Sequence, residues 1–397
     1  MSAADTPGRT AGPRPVIAFQ GSRTGRSAFA LVNARWSAGL AETDEWDVVD
    51  HDATAGRRPD VLVHHDFASD FAEFHAPPGT CAVAVRTWDF GPLPRRWVEK
   101  INGEFRQLWV PTRWIAQQAR AAGVEPERIR VVPHGVDPGV YRPEGGVYPL
   151  PSDKRFAFLF VGGVCVRKGS DTLLQAYAEA FSPADDVTLV IKDHSQDLFY
   201  RDAAIRERMR RLMSDPGAPE IVHIDRFLPD SELAALYRRC DAAVFPYRAE
   251  GFCLPILECM ASGTPAIAPR FGACLDFCGD ETSYLMPVRR IHLPVNRRFK
   301  VALGFPQDVE EVDFCEVEVS TLAGYLRRAY EAPASERVRK AATGTAVAHG
   351  RFTWRDSLAC VRRCLAELRW RPPAARLTRR RASSGRPGRS RRRSAPS

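Results

Sequence analysis

Twice along the chain an apolar strand runs into a glycine turn and then into a helix-spaced pattern, and this repetition constrains the fold of the 397 residues more than any other feature. The first instance is Val16–Gln20, the turn Gly21-Ser22-Arg23-Thr24-Gly25, and a stretch with Phe29, Leu31, Val32, Trp36 and Leu40 at helical spacing. Further strands are expected at 46–49, 61–64, 81–85 and 108–110, with a helix near 114–122. Gly145, Gly146, Pro149 and Pro151 then cluster, which places a linker near 143–153. The alternation restarts with a strand at 156–161, a glycine turn and a helix at 170–181. Strands follow at 187–192, 221–224, 242–246 and 265–268, with helices at 231–239 and from Pro255. The stretch from about 287 to 312 reads as irregular, and helices resume at 321–331 and 354–368. Alternating strands and helices make parallel, doubly wound sheets. The expected fold is α/β with two Rossmann-like domains, residues 16–145 and 150–350, followed by a terminal helix at 351–370.

Composition narrows the class. No apolar run approaches the ~18–20 residues that cross a bilayer. Residues 1–15 lack the apolar core of a signal peptide and read as a flexible leader. The ten cysteines contain no C-x-x-C pair, and Cys274/Cys278 and Cys360/Cys364 are spaced to share a helix face, not to hold zinc. Without a secretory signal, reduced thiols and a cytoplasmic location are expected. The net charge of +9 is a property of the tail, since residues 371–397 hold ten arginines and no acid, and without them the charge is close to −1. That segment is rich in Arg, Ser, Gly and Pro and is expected to be disordered. Its cations suit contact with nucleic acid or with an anionic membrane at the inner face, and equally a solvated tail with no fixed partner.

In a doubly wound fold, ligands bind beyond the carboxyl ends of the strands. The most informative segment there runs from Asp241 to Glu258. A strand ends near Pro246, a loop carries Glu250, Gly251 and Phe252, and Pro255 suits a first helical turn. Glu258 is expected in that first turn. The unbonded N–H groups between Phe252 and Ile256 suit a diphosphate. Eight residues of helix span ~12 Å, so the two carboxylates fit the two ends of an extended ligand better than one small group. An exposed acidic pair, or a Glu258 that merely complements the helix dipole, is the plainer alternative. Upstream, Gly162 and Gly163 let backbone approach a phosphate, and Arg167 and Lys168 can neutralise one without a metal.

The segment Glu250 to Glu258 resembles the E-x7-E signature of retaining glycosyltransferases of the GT-B fold, specifically family four. Arg226-Phe227-Leu228-Pro229, Leu233 to Tyr237, Cys240-Asp241-Ala242 and Ala261-Ser262-Gly263-Thr264-Pro265 stand in that family's order. The resemblance implies a nucleoside-diphosphate sugar as substrate, no cofactor, and an unidentified acceptor that is a glycan, a lipid-linked molecule or a small molecule. It implies that Glu258 binds the donor ribose and Glu250 the donor sugar, with backbone around Phe227 or Leu228 near the base; Gly251 and Phe252, in the loop between the two glutamates, are donor-binding candidates. Lys168 matches the phosphate lysine. Gly163 stands where the family often has arginine, a role that Arg167 can take over. Val131 to Asp137 resembles the family's turn before the linker, with His134 in place of asparagine. Gly21 and Ser22 are expected to face the donor phosphates across the cleft. Arg86 to Pro94 resembles an acidic Trp-Asp-Phe-Gly segment, and Asp89 is a candidate to orient the acceptor hydroxyl. Another GT-B enzyme, such as an epimerase, or a non-catalytic nucleotide-sugar or nucleic-acid binding protein is the alternative.

Three motifs are set aside. Asp89-Phe90-Gly91 spells a kinase motif without the catalytic loop that should precede it. Asp50-His51-Asp52 lies far from the donor half. His64-His65-Asp66 lacks further metal ligands. No metal site is expected.

Overall fold

The computed structural model describes residues 14–25, 27–50, 58–66, 74–193, 202–295 and 308–368. The expectations for most of the leader, for Asp50-His51-Asp52 beyond its first residue, and for the arginine-rich 371–397 fall outside the described residues.

Two six-stranded parallel sheets dominate. The first holds β1 (Val16–Gln20), β2 (Asp47–Asp50), β3 (Val61–His64), β4 (Cys81–Val85), β5 (Gln107–Val110) and β6 (Ile129–Val131), in the order β2-β1-β3-β4-β5-β6. Helices α1 (Ala28–Ala41), α2 (Arg95–Glu104) and α3 (Arg113–Ala121) accompany it. The second holds β7 (Phe156–Val161), β8 (Val187–Lys192), β9 (Glu220–Ile224), β10 (Ala242–Val244), β11 (Ala266–Pro269) and β12 (Ser283–Met286), ordered β12-β11-β10-β7-β8-β9. Its helices are α4 (Ser170–Ala180), α5 (Ala203–Ser214), α6 (Asp230–Arg239) and α7 (Leu254–Ala261). The α/β expectation of two Rossmann-like sheets is met. Strands such as β7, Phe-Ala-Phe-Leu-Phe-Val, are buried at every residue because helices cover both faces, so they read as continuous apolar runs.

Helix starts follow local chemistry. Ser27 accepts the Ala30 N–H at 3.1 Å ahead of α1, and Thr112 accepts the Ile115 N–H at 3.3 Å ahead of α3. The stretch 287–312 is not irregular throughout. β13 (Arg289–Pro294) pairs antiparallel with β14 (Glu311–Glu316), a hairpin whose signal is the alternation of Val312 and Phe314 with Asp313. Helix α2 was also unanticipated, because its apolar face is only Trp97, Val98 and Ile101 among charges.

After α8 (Val319–Glu331) and α9 (Ala334–Arg351) the chain crosses back, and α10 (Trp354–Glu367) packs on the first sheet. The outgoing and returning strands of chain touch at the crossing. Val136 N–H donates to the Phe352 carbonyl at 2.8 Å, and Trp354 N–H donates to the Val136 carbonyl at 3.1 Å. Beside it, the fully buried Trp36 donates Nε1–H to Ser357 Oγ at 2.8 Å, and Ser357 donates to the Pro133 carbonyl at 2.5 Å. Among the described residues no helix is long and apolar enough to cross a membrane. All ten cysteines are free.

Ser357→Ala strands a buried donor on Trp36 and a buried acceptor on Pro133. Each unsatisfied group costs about 1–3 kcal/mol. The variant's denaturant midpoint should fall accordingly, and Trp36→Phe in the same chain should recover part of the loss. A midpoint equal to the parent's would show that the crossing does not depend on this pair.

Candidate functional site

In the second sheet β7 and β10 lie side by side while the chain continues outward from each in opposite directions. This is the topological switch point, where a crevice opens beyond the carboxyl ends. Both candidate loops leave from it. Gly162 and Gly163 follow β7, and Glu250 follows β10. The Gly162 N–H is held by the Lys192 carbonyl at 3.0 Å. One tight turn, Val166–Lys168, then leads into α4 through Gly169. Gly169 has φ +72°, and a Cβ there would lie 1.9 Å from the Pro246 carbonyl oxygen. Only glycine allows that approach, and it presses Arg167 and Lys168 against the Glu250 loop.

Four charges meet there. Lys168 Nζ forms an ion pair with Glu250 Oε1. Arg167 Nη1 reaches Glu250 Oε1 at 3.3 Å, the Ala249 carbonyl at 3.1 Å and Asp89 Oδ2 at 2.7 Å. Asp89 belongs to the loop after β4, so this guanidinium joins the two lobes. Asp89 also accepts the Gly251 N–H. Burial raises the Asp89 carboxyl to about 6, against the pull of Arg167 and with a further push from Glu250. Gly251 has no room for a side chain, since a Cβ would meet Thr87 Cγ2 at 2.5 Å and Asp89 Oδ1 at 2.8 Å. Thr112 donates to the Gly251 carbonyl at 3.3 Å.

Helix α7 begins without a side-chain cap, at Cys253, whose φ of +67° is the one positive value outside glycine among the described residues. Such backbone costs on the order of 1–3 kcal/mol. It turns the Ile256 N–H onto the Cys253 carbonyl at 3.1 Å, and Pro255 has no N–H, so fewer of the expected donors between Phe252 and Ile256 are open than the sequence suggested. Because α7 starts at Leu254, Glu258 begins its second turn, one residue beyond the expected first turn. Its carboxylate accepts a 3.0 Å hydrogen bond from Tyr237 Oη. Burial raises this carboxyl to about 7, the Tyr237 bond opposes the shift, and Asp230 adds to it.

The remaining candidates spread along the cleft. Phe252 is buried, with its ring 4.7 Å from that of His134 in the first lobe. His134 is wholly enclosed, and burial lowers it to about 3, so it is neutral. Phe227 is exposed and Leu228 is buried beside it. Gly21 packs on the His65 carbonyl, and Ser22 bonds to Thr24 and, through its carbonyl, to Asn33. Arg167, Lys168, Glu250, Gly251 and Asp89 thus form one cluster, whereas the contacts of Gly21 and Ser22 described above lie within the first lobe.

Sequence reasoning missed Tyr237 as the partner of Glu258, because the two are 21 residues apart and meet only through packing of α6 on α7. It also missed Thr87, Thr112 and the strained Cys253. Among the described residues one group, Asp193, His223 and Asp225, has the spacing to hold a metal ion, and Arg206 already pairs with Asp193.

Residues 149–291 match the family model described as Glycosyl transferases group 1. A MMP alpha-(1->4)-mannosyltransferase of Mycolicibacterium hassiacum is 31% identical over 274 residues, 62% of this chain and 62% of that protein. A D-inositol 3-phosphate glycosyltransferase of Acidothermus cellulolyticus is 33% identical over 173 residues, 41% of this chain and 38% of that one. The chain therefore spans less than two thirds of either relative. HepE of Anabaena, solved with UDP and glucose, superposes with a TM-score of 0.65 at 15% identity over 89% of this chain and 100% of that one. Sucrose-phosphate synthase from Thermosynechococcus elongatus gives 0.62 at 16% identity over 90% and 99%. The fold is GT-B, and the chain resembles glycosyltransferases of family four.

The raised carboxyl of Glu258 carries a consequence for stability. Folding lifts it from 4.5 to about 7, so between those values the folded chain keeps a proton that the unfolded chain has released. Rising pH across that window therefore costs stability, by at most about tenfold in the folding constant per pH unit for one proton. Glu258→Gln removes the term, so the variant should gain on the parent between about pH 5 and about pH 8. Denaturant titrations at both values measure this, and a parent-to-variant difference that stays constant would rule it out.

Proposed function

We propose that this GT-B chain transfers a sugar from a nucleoside diphosphate to an acceptor, with retention of anomeric configuration and without a divalent metal. The observation that carries the reading is the convergence of Lys168 and Arg167 on Glu250 at the switch point, beside the uncapped start of α7. In this reading residues 150–350 are the donor side and 16–145 the acceptor side. A diphosphate leaving group gains charge as the glycosidic bond breaks, and two cations with a helix N-terminus stabilise that gain. Before donor arrives the same cations are balanced by Glu250 and Asp89, so the site stores them paired rather than solvated. Once phosphate takes up Lys168, the Glu250 carboxylate is released to bond sugar hydroxyls. Glu258, held by Tyr237 and ionised above about pH 7, accepts from ribose hydroxyls, and the exposed Phe227 beside Leu228 suits a base. Asp89 reaches the cleft from the opposite lobe and is placed to orient an acceptor hydroxyl.

The relatives named for mannosyl and D-inositol 3-phosphate glycosyl transfer, and the neighbour solved with UDP and glucose, support a nucleotide-sugar donor. A cytoplasmic location belongs to the same proposal. So does contact of 371–397 with an anionic membrane face or nucleic acid, which rests on its ten arginines.

Three substitutions should carry three signatures. At pH 8, where Glu258 is ionised, Glu258→Gln loses a charge-assisted bond worth about 1.5–3 kcal/mol, so free nucleoside diphosphate should bind roughly ten- to hundredfold more weakly. Lys168→Ala should lower turnover more than binding. Glu250→Ala should spare nucleoside diphosphate binding, since it unpairs Lys168, while damaging transfer. A thermal-shift panel of UDP-, GDP- and ADP-sugars selects the nucleotide, calorimetry gives affinity, and product release gives turnover. If all three variants match the parent, the donor site is elsewhere. Binding without turnover in the parent would favour a non-catalytic protein.

Turnover should survive excess chelator. Loss that manganese or magnesium specifically restores would overturn metal independence and direct attention to Asp193, His223 and Asp225.

A further inference from the structure

The hairpin β13–β14 grows out of the second lobe between β12 and α8, yet one face of β14 is buried in the core of the first. Val312 and Phe314 pack with Trp88, Phe90, Leu93 and Trp97, and the Phe314 ring lies 6.0 Å from that of Phe90. Cys315, on the opposite face, is wholly buried in the core of the second lobe with Tyr247 and Phe252. The edge of β14 away from β13 divides in the same way. Asp313 N–H donates to the Phe90 carbonyl at 3.0 Å, and Cys315 N–H donates to the Arg248 carbonyl at 2.8 Å. Phe90 follows Asp89, and Arg248 stands two residues before Glu250.

We infer that β14 is a spacer that sets the distance between the two site carboxylates, and that Asp313, Phe314 and Cys315 are positioning residues for transfer. This rests on the reading of Asp89 and Glu250 as acceptor-side and sugar-side groups. N–H groups two residues apart on an extended strand point the same way at a fixed interval of ~7 Å. One grips the backbone beside Asp89 and the other the backbone before Glu250. In front, Arg167 Nη1 lies 2.7 Å from Asp89 and 3.3 Å from Glu250. The carboxylates are therefore held from behind by a strand and from the front by a guanidinium. The Arg167 contact must loosen when a phosphate competes for the cation, and the strand contact need not. Two further contacts seat the strand on the first lobe. Gly91 has φ +92°, and a Cβ there would fall 2.7 Å from Asp313 Cγ, so the loop and the strand touch without a side chain between them. Asp308 accepts the Arg96 N–H at 2.8 Å at the start of α2.

The inference is tested with full-length Phe314→Ala, Phe314→Leu and Gly91→Ala. Misplacing a reacting group by about 1 Å can cost on the order of a hundredfold in rate. Phe314→Ala and Gly91→Ala should bind the selected nucleoside diphosphate within about twofold of the parent. With the matching nucleotide sugar as donor and water as acceptor, kcat should fall roughly ten- to hundredfold while donor KM holds. Phe314→Leu, which keeps an apolar wedge, should recover most of the rate. Amide exchange across 86–91 should speed up in Phe314→Ala and Gly91→Ala but not across 156–193. Parent-like kcat together with parent-like exchange overturns the spacer. Should the parent itself neither bind nor turn over nucleotide sugars, the proposed function fails, and exchange alone decides whether β14 holds the Asp89 loop.

Discussion

The guanidinium of Arg167 is the point on which the arrangement of the two lobes turns. Its Nη1 meets a carboxylate from each lobe, and Lys168 beside it balances the second negative charge. All four side chains are largely withdrawn from solvent, where unpaired charge is expensive and paired charge roughly neutral in cost. The quartet has no net charge only when the lobes are together, because Asp89 is on one and the other three on its partner. Separating the lobes would leave two cations facing one carboxylate. Closure is thus set by charge balance as well as by apolar contact, and the raised Asp89 carboxyl shows how much desolvation that balance must offset.

The placement of these charges follows from strand order. A sheet ordered β12-β11-β10-β7-β8-β9 puts the first strand of the lobe next to the fourth, so two loops far apart in sequence become neighbours. Gly169 against Pro246 is the closest expression of this, with no space left for a side chain. The glycine turn after β7 and the glutamate loop after β10 then act as one site although about 80 residues separate them.

Much of this was legible because it is local. Buried parallel strands announce themselves as apolar runs, as β7 and β8 do, and the loops that follow them carry Lys168, Glu250 and Glu258 in recognisable company. What escaped was tertiary. The Tyr237 bond to Glu258, the contact of Asp89 with Arg167 and the αL turn at Cys253 depend on how elements pack, and no short window encodes them. The hairpin at 289–316 is an intermediate case. Val312 and Phe314 alternate with polar residues as a strand should, but β13 is mostly exposed and reads Arg-Arg-Ile-His-Leu-Pro, which lacks a buried face to show its period.

The contacts between lobes are unevenly distributed around the cleft, and that asymmetry bears on ligand entry. The chain crossing at Val136 and Thr353 closes one end. Asp89 with Arg167, Thr112 with Gly251, Trp114 against Phe271, and Val312 and Phe314 of β14 join the lobes elsewhere along the cleft. At the Gly21 and Gly162 turns, Ser22 and Asn33 bond within the first lobe, and Gly162 bonds to its own sheet through Lys192. In the proposed reading, a nucleoside diphosphate approaching between the Gly21 and Gly162 turns meets loops that bond within their own lobes. Uptake of phosphate by Lys168, in the same reading, exchanges the Glu250 carboxylate for another anion. The lobes can stay in register during that exchange, because the backbone bonds of β14 carry none of the charge being traded.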